Sequence, residues 1–314
     1  MSAAELRREL PLVRPLDLAR TLGLLRRGSG DPAMTIRPDG LWRACRTPAG
    51  AGTLRLRRDG ATLVADAWGP GAAWLLDALP ELVGETAAEA DAWAGLDLST
   101  APQLAEVRKR LPGVRLPATG LVLDALVPAC LEQRVTGTEA WRAWRGLLRQ
   151  FGEPAPGPDG GPAMWVLPEA AGIAAVPSWT WHTFGVDGQR YRTVHAVARV
   201  GERMEESARM AASGDLDGAR RRLRVVPGVG EWTAAEVAIR AWADPDAVSV
   251  GDFHLKNRVG FALTGAARSS DETMLQLLEP WRGQRARVVR LIELSGLVPP
   301  KFGPRFSPND IRVI

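Results

Sequence analysis

From about residue 102 to residue 295 the chain is a succession of eleven helix-length segments separated by short breaks, which rules out most fold classes before anything else is weighed. The segments run over 103–110, 120–134, 137–151, 168–175, 188–199, 201–213, 215–225, 231–243, 254–264, 270–279 and 281–295. Each carries apolar residues at helical spacing, so residues 111–298 are expected to form an all-helical domain. One stretch breaks the pattern: residues 154–162, PAPGPDGGP, hold too much Pro and Gly for a helix and read as an exposed loop. No fixed-period repeat is present. The first hundred residues read differently. Residues 54–57 and 62–68 are strand-like on either side of Arg58-Asp59-Gly60, a hairpin signal. Residues 16–26 and 72–79 read as amphipathic helices, so residues 1–110 are expected to be a small α+β domain with an antiparallel sheet. Residues 299–314 read as an irregular tail lying over the helical domain.

A length of 314 residues suits two domains of roughly 150 each. The apolar fraction of 46% and charged fraction of 24% are those of an ordinary globular chain that can bury a core. No uninterrupted apolar run approaches the 18 or so residues of a membrane span, and MSAAELRREL lacks the apolar stretch of a secretion signal. A secreted or membrane protein is therefore not expected. Cys45 and Cys130 stand far apart with no CxxC or Cys/His cluster, which excludes a disulfide scaffold, a cysteine-ligated zinc and a four-cysteine iron–sulfur cluster. Reducing cytosol is the expected compartment. The net charge of +4 is unevenly spread: residues 1–100 hold 12 basic and 13 acidic side chains, residues 256–314 hold 10 and 5. A basic C-terminal fifth is either the footprint of a phosphate-binding surface or a genomic preference for arginine, since only 3 of the 40 basic residues are lysine.

Residues 221–263, RRLRVVPGVGEWTAAEVAIRAWADPDAVSVGDFHLKNRVGFAL, carry the chemistry. A helix ends near Val225, Pro227-Gly228-Val229-Gly230 forms a tight turn, and a helix restarts at Trp232. Glycine accepts positive φ and has no Cβ, so such a backbone can press its N–H groups onto a phosphate, with the next helix adding its N-terminal dipole. This helix-hairpin-helix pattern grips a DNA backbone without reading bases; an isolated turn of this kind also occurs between any two packed helices. Twenty-two residues after Gly230 comes Asp252, between a short apolar stretch and a new helix. As a bare N-cap it would be unremarkable, the role Asp271 is expected to have further on, but its pairing with the hairpin sets it apart.

In these residues the chain resembles the helix-hairpin-helix DNA glycosylase superfamily, the bacterial 3-methyladenine DNA glycosylase II type. The resemblance rests on Leu223-x-x-Val226-Pro227-Gly228-Val229-Gly230-x-Trp232-Thr233-Ala234, on Asp252-Phe253-x-Leu255-Lys256-x-Arg258 and on Pro280-Trp281-Arg282. Ala129-Cys130-Leu131-Glu132-Gln133-Arg134-Val135 is similar to the family's LEQQxS helix end, and Gly185-Val186 with Arg190 or Arg192 to its LGxxxxRA segment. Coverage runs from about residue 120 to 290. The implied fold is mainly α, a helical glycosylase domain preceded by a small α+β domain similar to the TATA-binding-protein-like domain of those enzymes.

The resemblance implies base excision repair of an alkylated or deaminated base flipped from duplex DNA, with Asp252 stabilising the oxocarbenium-like sugar and helping to deprotonate the attacking water. Trp232 stands where strand-cutting members carry a Schiff-base lysine, which implies a monofunctional hydrolase leaving an abasic site. Gly228, Val229, Gly230 and Thr233 would hold phosphate, with Gln133, Lys256 and Arg258 as further DNA contacts. Arg134 would be either the wedge that fills the gap left by the base or a solvated helix-end arginine. No cofactor is required, though the family's hairpin binds a monovalent cation, which here would take the carbonyls of Arg224, Val226 and Val229. The implied setting is the bacterial cytoplasm, on the nucleoid, as a monomer.

The base pocket implied by the resemblance departs from the family's. Trp232 and Phe253 keep two of its electron-rich rings, which suit cationic alkylpurines. Three other positions are Leu24, Glu236 and Arg290. Glu236 and Arg290 would either hydrogen-bond a neutral base edge or pair with each other and narrow the cavity. Most of the 12 tryptophans read as core, with Trp179 and Trp181 flanking a helix break, and the histidines lack metal or triad spacing. A competing expectation is a non-catalytic helix-hairpin-helix protein that binds damaged or distorted DNA.

Overall fold

The computed structural model describes residues 6–300 and 311–313. Near the start of the chain, β1 (Leu6–Pro11), β2 (Met34–Arg37), β3 (Gly40–Thr47), β4 (Gly50–Asp59) and β5 (Thr62–Trp68) form one antiparallel sheet in the order β1-β5-β4-β3-β2. The expected hairpin is β4–β5, with Asp59 opposite Thr62 and Gly60 at φ +57° in the loop. Side chains alternate across the sheet. Leu41, Cys45, Leu54, Leu56, Leu63, Ala65 and Ala67 face the core shared with Leu16, Leu22 and the helix Ala72–Asp77. On the other face Trp42 and Trp68 stack at 5.3 Å, and the Arg55 guanidinium lies over both rings. Arg7 and Arg55 bind Asp66, which is fully buried. Burial alone would raise that carboxyl, but the two arginines hold it below its usual range. This pairing explains why β1, LRRELP, shows so little apolar signal: its strand character comes from Asp66 and from backbone pairing with β5.

The helical part has two cores. In the first, the helix Val122–Leu131 is buried along most of its length among Gly137–Phe151, Gly188–Arg199, Leu216–Arg224 and Glu231–Ala241. A capping box of Thr136 and Glu139 starts Gly137–Phe151. The second core joins Trp93, Leu104 and Val107 to Leu255, Val259, Met274, Val288 and Ile292. The helices Ala87–Ala94 and Pro102–Arg110 thus share their apolar faces with the C-terminal helices Leu255–Thr264, Asp271–Leu278 and Arg285–Leu294. They were grouped by position with the sheet, and only the fold reveals this long-range partnership. Trp144 donates to Asp31 at 2.9 Å, Arg27 pairs with Glu132 at 2.8 Å and Arg43 with Asp124, so buried polar ties join the sheet region to the first helical core.

Several local expectations change. Residues 16–26 form the short helix Leu18–Leu22 and a 3-10 turn Gly23–Leu25. Trp179 and Trp181 sit within a helix, Ser178–Thr183, rather than beside a break. Short strands Glu153–Pro154 and Trp165–Val166 pair across the base of the expected Pro/Gly loop. Ser270, not Asp271, caps the helix Asp271–Leu278. Most of the expected 299–314 tail lies outside the described residues. Among the described residues no helix is long and apolar enough to cross a membrane.

Candidate active site

Asp215 accepts the N–H of Gly218 at 2.8 Å and starts the first hairpin helix, Leu216–Arg224, whose last turn carries Arg221, Arg222 and Arg224. The turn closes when the Val226 carbonyl accepts the Val229 N–H at 3.0 Å, with both valines buried. Gly228 lies at φ +89°, and a Cβ there would meet Thr193 Oγ1 at 2.1 Å, so glycine is demanded twice over. Gly230 is a different case. Its φ is −94° and an added Cβ would meet nothing within 4 Å, so nothing inside the chain requires glycine there. Among the described residues the Gly228 and Gly230 N–H groups have no partner, whereas the Val229 N–H, expected at phosphate, is used in the turn. Gln133 Nε2 donates to the Gly228 carbonyl and to Thr233 Oγ1, both at 2.9 Å. Gln133 and Thr233 therefore brace the hairpin, a role that their distance in sequence concealed. Arg134, next to Gln133, is exposed and has a positive φ of 54°, uncommon for a residue other than glycine.

Asp252 lies in the loop after the second hairpin helix, Glu231–Ala241, and meets the first turn of that helix through Trp232. Its Oδ1 accepts the N–H groups of His254 at 2.7 Å and Leu255 at 2.8 Å, opening the helix Leu255–Thr264; Trp232 Nε1 lies 3.3 Å from Oδ2. The carboxylate holds the start of this helix from two residues before its N-cap, His254, and lines a cavity of about 250 Å³. That is smaller than the roughly 300–1,000 Å³ of drug-sized pockets and suits one flat heterocycle. The turn is held from behind: Asp271 accepts the Gly251 N–H at 2.9 Å and pairs with Lys256 at 3.0 Å. Burial pushes the Asp271 carboxyl up, but these two contacts outweigh it and keep the group below its usual range. Lys256, expected at DNA, is thus tied to Asp271, while Arg258 lines the cavity with no partner among the described residues.

Of the expected base pocket, Leu24, Glu236 and Arg290 line the cavity and the two rings do not. Phe253 is 69% exposed, edge-on to His254 at 4.9 Å, because the turn that lets Asp252 cap the next helix leaves the following side chain at the surface. Trp232 packs against the first helical core, and its ring nitrogen reaches Asp252. The Glu236–Arg290 pair is not formed. Glu236 binds Arg240 at 2.7 Å, one helical turn away, and accepts the Ser249 hydroxyl at 2.5 Å. Arg290 binds Glu293 at 3.0 Å and the Arg20 carbonyl at 2.7 Å. Arg240, absent from the expected site, also donates to the Leu24 carbonyl at 3.2 Å. Its i,i+4 spacing from Glu236 was the signal that could have found it.

A hairpin between two helices, a cavity-lining aspartate and an N-terminal antiparallel sheet thus occur together in one mainly helical fold. No protein-family model matches the chain. It superposes with a TM-score of 0.75 on the 3-methyladenine DNA-glycosylase of Archaeoglobus fulgidus, at 14% identity over 92% of this chain and 98% of that one. In sequence it is 31% identical over 187 residues to the "Probable bifunctional transcriptional activator/DNA repair enzyme AlkA" of Mycobacterium tuberculosis, across 58% of this chain and 33% of that protein. It is 26% identical over 171 residues to DNA-3-methyladenine glycosylase 2 of Escherichia coli, across 54% of this chain and 57% of that protein. The chain spans between a third and a little over half the length of these curated relatives. The resemblance to the 3-methyladenine DNA glycosylase II type is thereby borne out, as is a mainly α fold with a small α+β N-terminal part.

Proposed function

We propose that this chain is a monofunctional DNA glycosylase that hydrolyses the N-glycosidic bond of a damaged base turned out of duplex DNA. The observation that carries the reading is the placement of Asp252: a carboxylate fixed by two backbone N–H groups, bordering a cavity sized for one base, beside a glycine hairpin with open N–H groups. Oδ1 is held by the helix start, while Oδ2 has only the 3.3 Å contact with Trp232 and can face a sugar. Positive charge developing at C1′ meets this fixed negative charge, and the same carboxylate accepts a proton from water as it attacks. Gly228 and Gly230 bind backbone phosphate, and Arg134, projecting beside the hairpin, enters the space that the base vacates. The protein works on duplex DNA as a monomer in the bacterial cytoplasm.

The test is the product. A duplex carrying one damaged base is expected to yield abasic sites that break only on alkali treatment. Trp232 offers no amine, so borohydride is expected to trap no covalent protein–DNA adduct; an adduct would overturn the monofunctional reading. A hairpin cation, if bound, would take the neutral carbonyls of Arg224, Val226 and Val229. The Val226 oxygen keeps one lone pair beyond its bond to Val229, so the donor set suits a monovalent ion. Its charge would reinforce phosphate binding, and no reaction step passes through it.

Gly230 provides a second check. Gly230→Ala is expected to leave the melting temperature within about 2 °C, since the new methyl enters open space. Affinity for duplex DNA, measured by fluorescence anisotropy, is expected to fall about tenfold, because that methyl occupies the place of a phosphate. Unchanged affinity would remove the hairpin from the DNA interface.

A further inference from the structure

We infer that the cavity selects a neutral base bearing a ring carbonyl, such as hypoxanthine, uracil or 8-oxoguanine, over a cationic alkylpurine. The inference rests on the glycosylase reading and concerns the substrate class of the same site. Three features of the cavity carry it. Among the described residues no Phe, Tyr or Trp side chain lines it, so the ring faces that attract a cationic base are missing. Apart from Asp252, which faces the sugar, its acids are already matched: Glu236 by Arg240 and Ser249, Glu293 by Arg290. Beyond that carboxylate, its remaining capacity is donor capacity. Arg258 has no partner among the described residues, and the Nε–H of Arg290 is buried without an acceptor.

An N3- or N7-alkylated purine brings positive charge that opposes these arginines, even where, as in 7-methylguanine, a ring carbonyl remains. A keto base brings an oxygen that accepts from guanidinium. The distinction sharpens during bond cleavage. When the C1′–N bond breaks, its electron pair leaves with the base. A neutral keto base departs as an anion whose charge spreads onto the carbonyl oxygen, and a guanidinium stabilises that charge as it forms. The water oxygen bonds to C1′, its proton passes to the Asp252 carboxylate, and the base anion takes a proton from that carboxylate or from solvent. A cationic alkylpurine departs neutral and gains nothing from the arginines. Arg258 is thus a specificity-determining residue.

Single-turnover release from otherwise identical duplexes carrying hypoxanthine, uracil, 8-oxoguanine, 7-methylguanine or 3-methyladenine tests this. At least one keto base is expected to leave about tenfold faster than either alkylpurine. Arg258→Gln is expected to lower the ratio of keto-base to alkylpurine release by about tenfold. Faster release of an alkylpurine, or an unchanged ratio in the variant, overturns the substrate inference while leaving the glycosylase reading intact. Release of no base at all, by a protein that still binds abasic duplex, overturns both.

Discussion

Base release by an Asp252→Asn variant is expected to fall by about 10²–10³-fold, the scale on which one preorganised electrostatic group contributes to a transition state. The substitution isolates charge from structure. Asn keeps a carbonyl oxygen where Asp252 Oδ1 accepts the His254 and Leu255 N–H groups, so the start of the helix Leu255–Thr264 is retained. What disappears is the negative charge beside the sugar and the ability to accept a proton from water. Binding to an abasic duplex is expected to stay close to that of the unaltered protein. A variant with full activity would show that the carboxylate is only a helix cap, and a variant that neither melts cooperatively nor binds DNA would show that its role is in folding.

The second large effect belongs to Gly228. Gly228→Ala forces a side chain to adopt φ +89° and places its Cβ 2.1 Å from Thr193 Oγ1. Backbone strain of this kind costs on the order of 1–3 kcal/mol, and the Thr193 contact adds to it. The hairpin must shift, and Gln133, which grips the Gly228 carbonyl, loses its register. Calorimetry is expected to show a melting temperature lower by several degrees, at about 2–4 °C per kcal/mol, together with a loss of DNA affinity of more than about tenfold. Adding Thr193→Ala removes the nearest atom but not the positive φ, so recovery is expected to be partial. An undisturbed Gly228→Ala variant would mean that the turn has another conformation in solution.

The parts of the site legible in the sequence are those in which backbone conformation forces residue type. Gly228 is readable because only glycine fits its φ and its neighbour, and Asp252 because a capping acid at fixed spacing from such a turn is uncommon. The hairpin β4–β5 was visible for the same reason, through Gly60. Features that depend on contacts between distant segments were hidden. The grouping of Trp93 and Leu104 with Val288 and Ile292 leaves no trace in local periodicity. The lining of the cavity was legible by position only: Leu24, Glu236 and Arg290 do face it, yet their partners are Arg240, Ser249, Glu293 and the Arg20 carbonyl. Phe253 illustrates the remaining failure, because an aromatic residue beside a cavity-lining acid looks like a ring of the pocket until the turn geometry puts it outside.

The anchoring of Arg240 and Arg290 to the Leu24 and Arg20 carbonyls means that the cavity is walled by both ends of the chain. A shortened protein beginning after the sheet would keep the hairpin and the aspartate but lose one wall of the chamber. Substitutions around position 20 therefore alter the wall of the cavity without touching Asp252 or the hairpin.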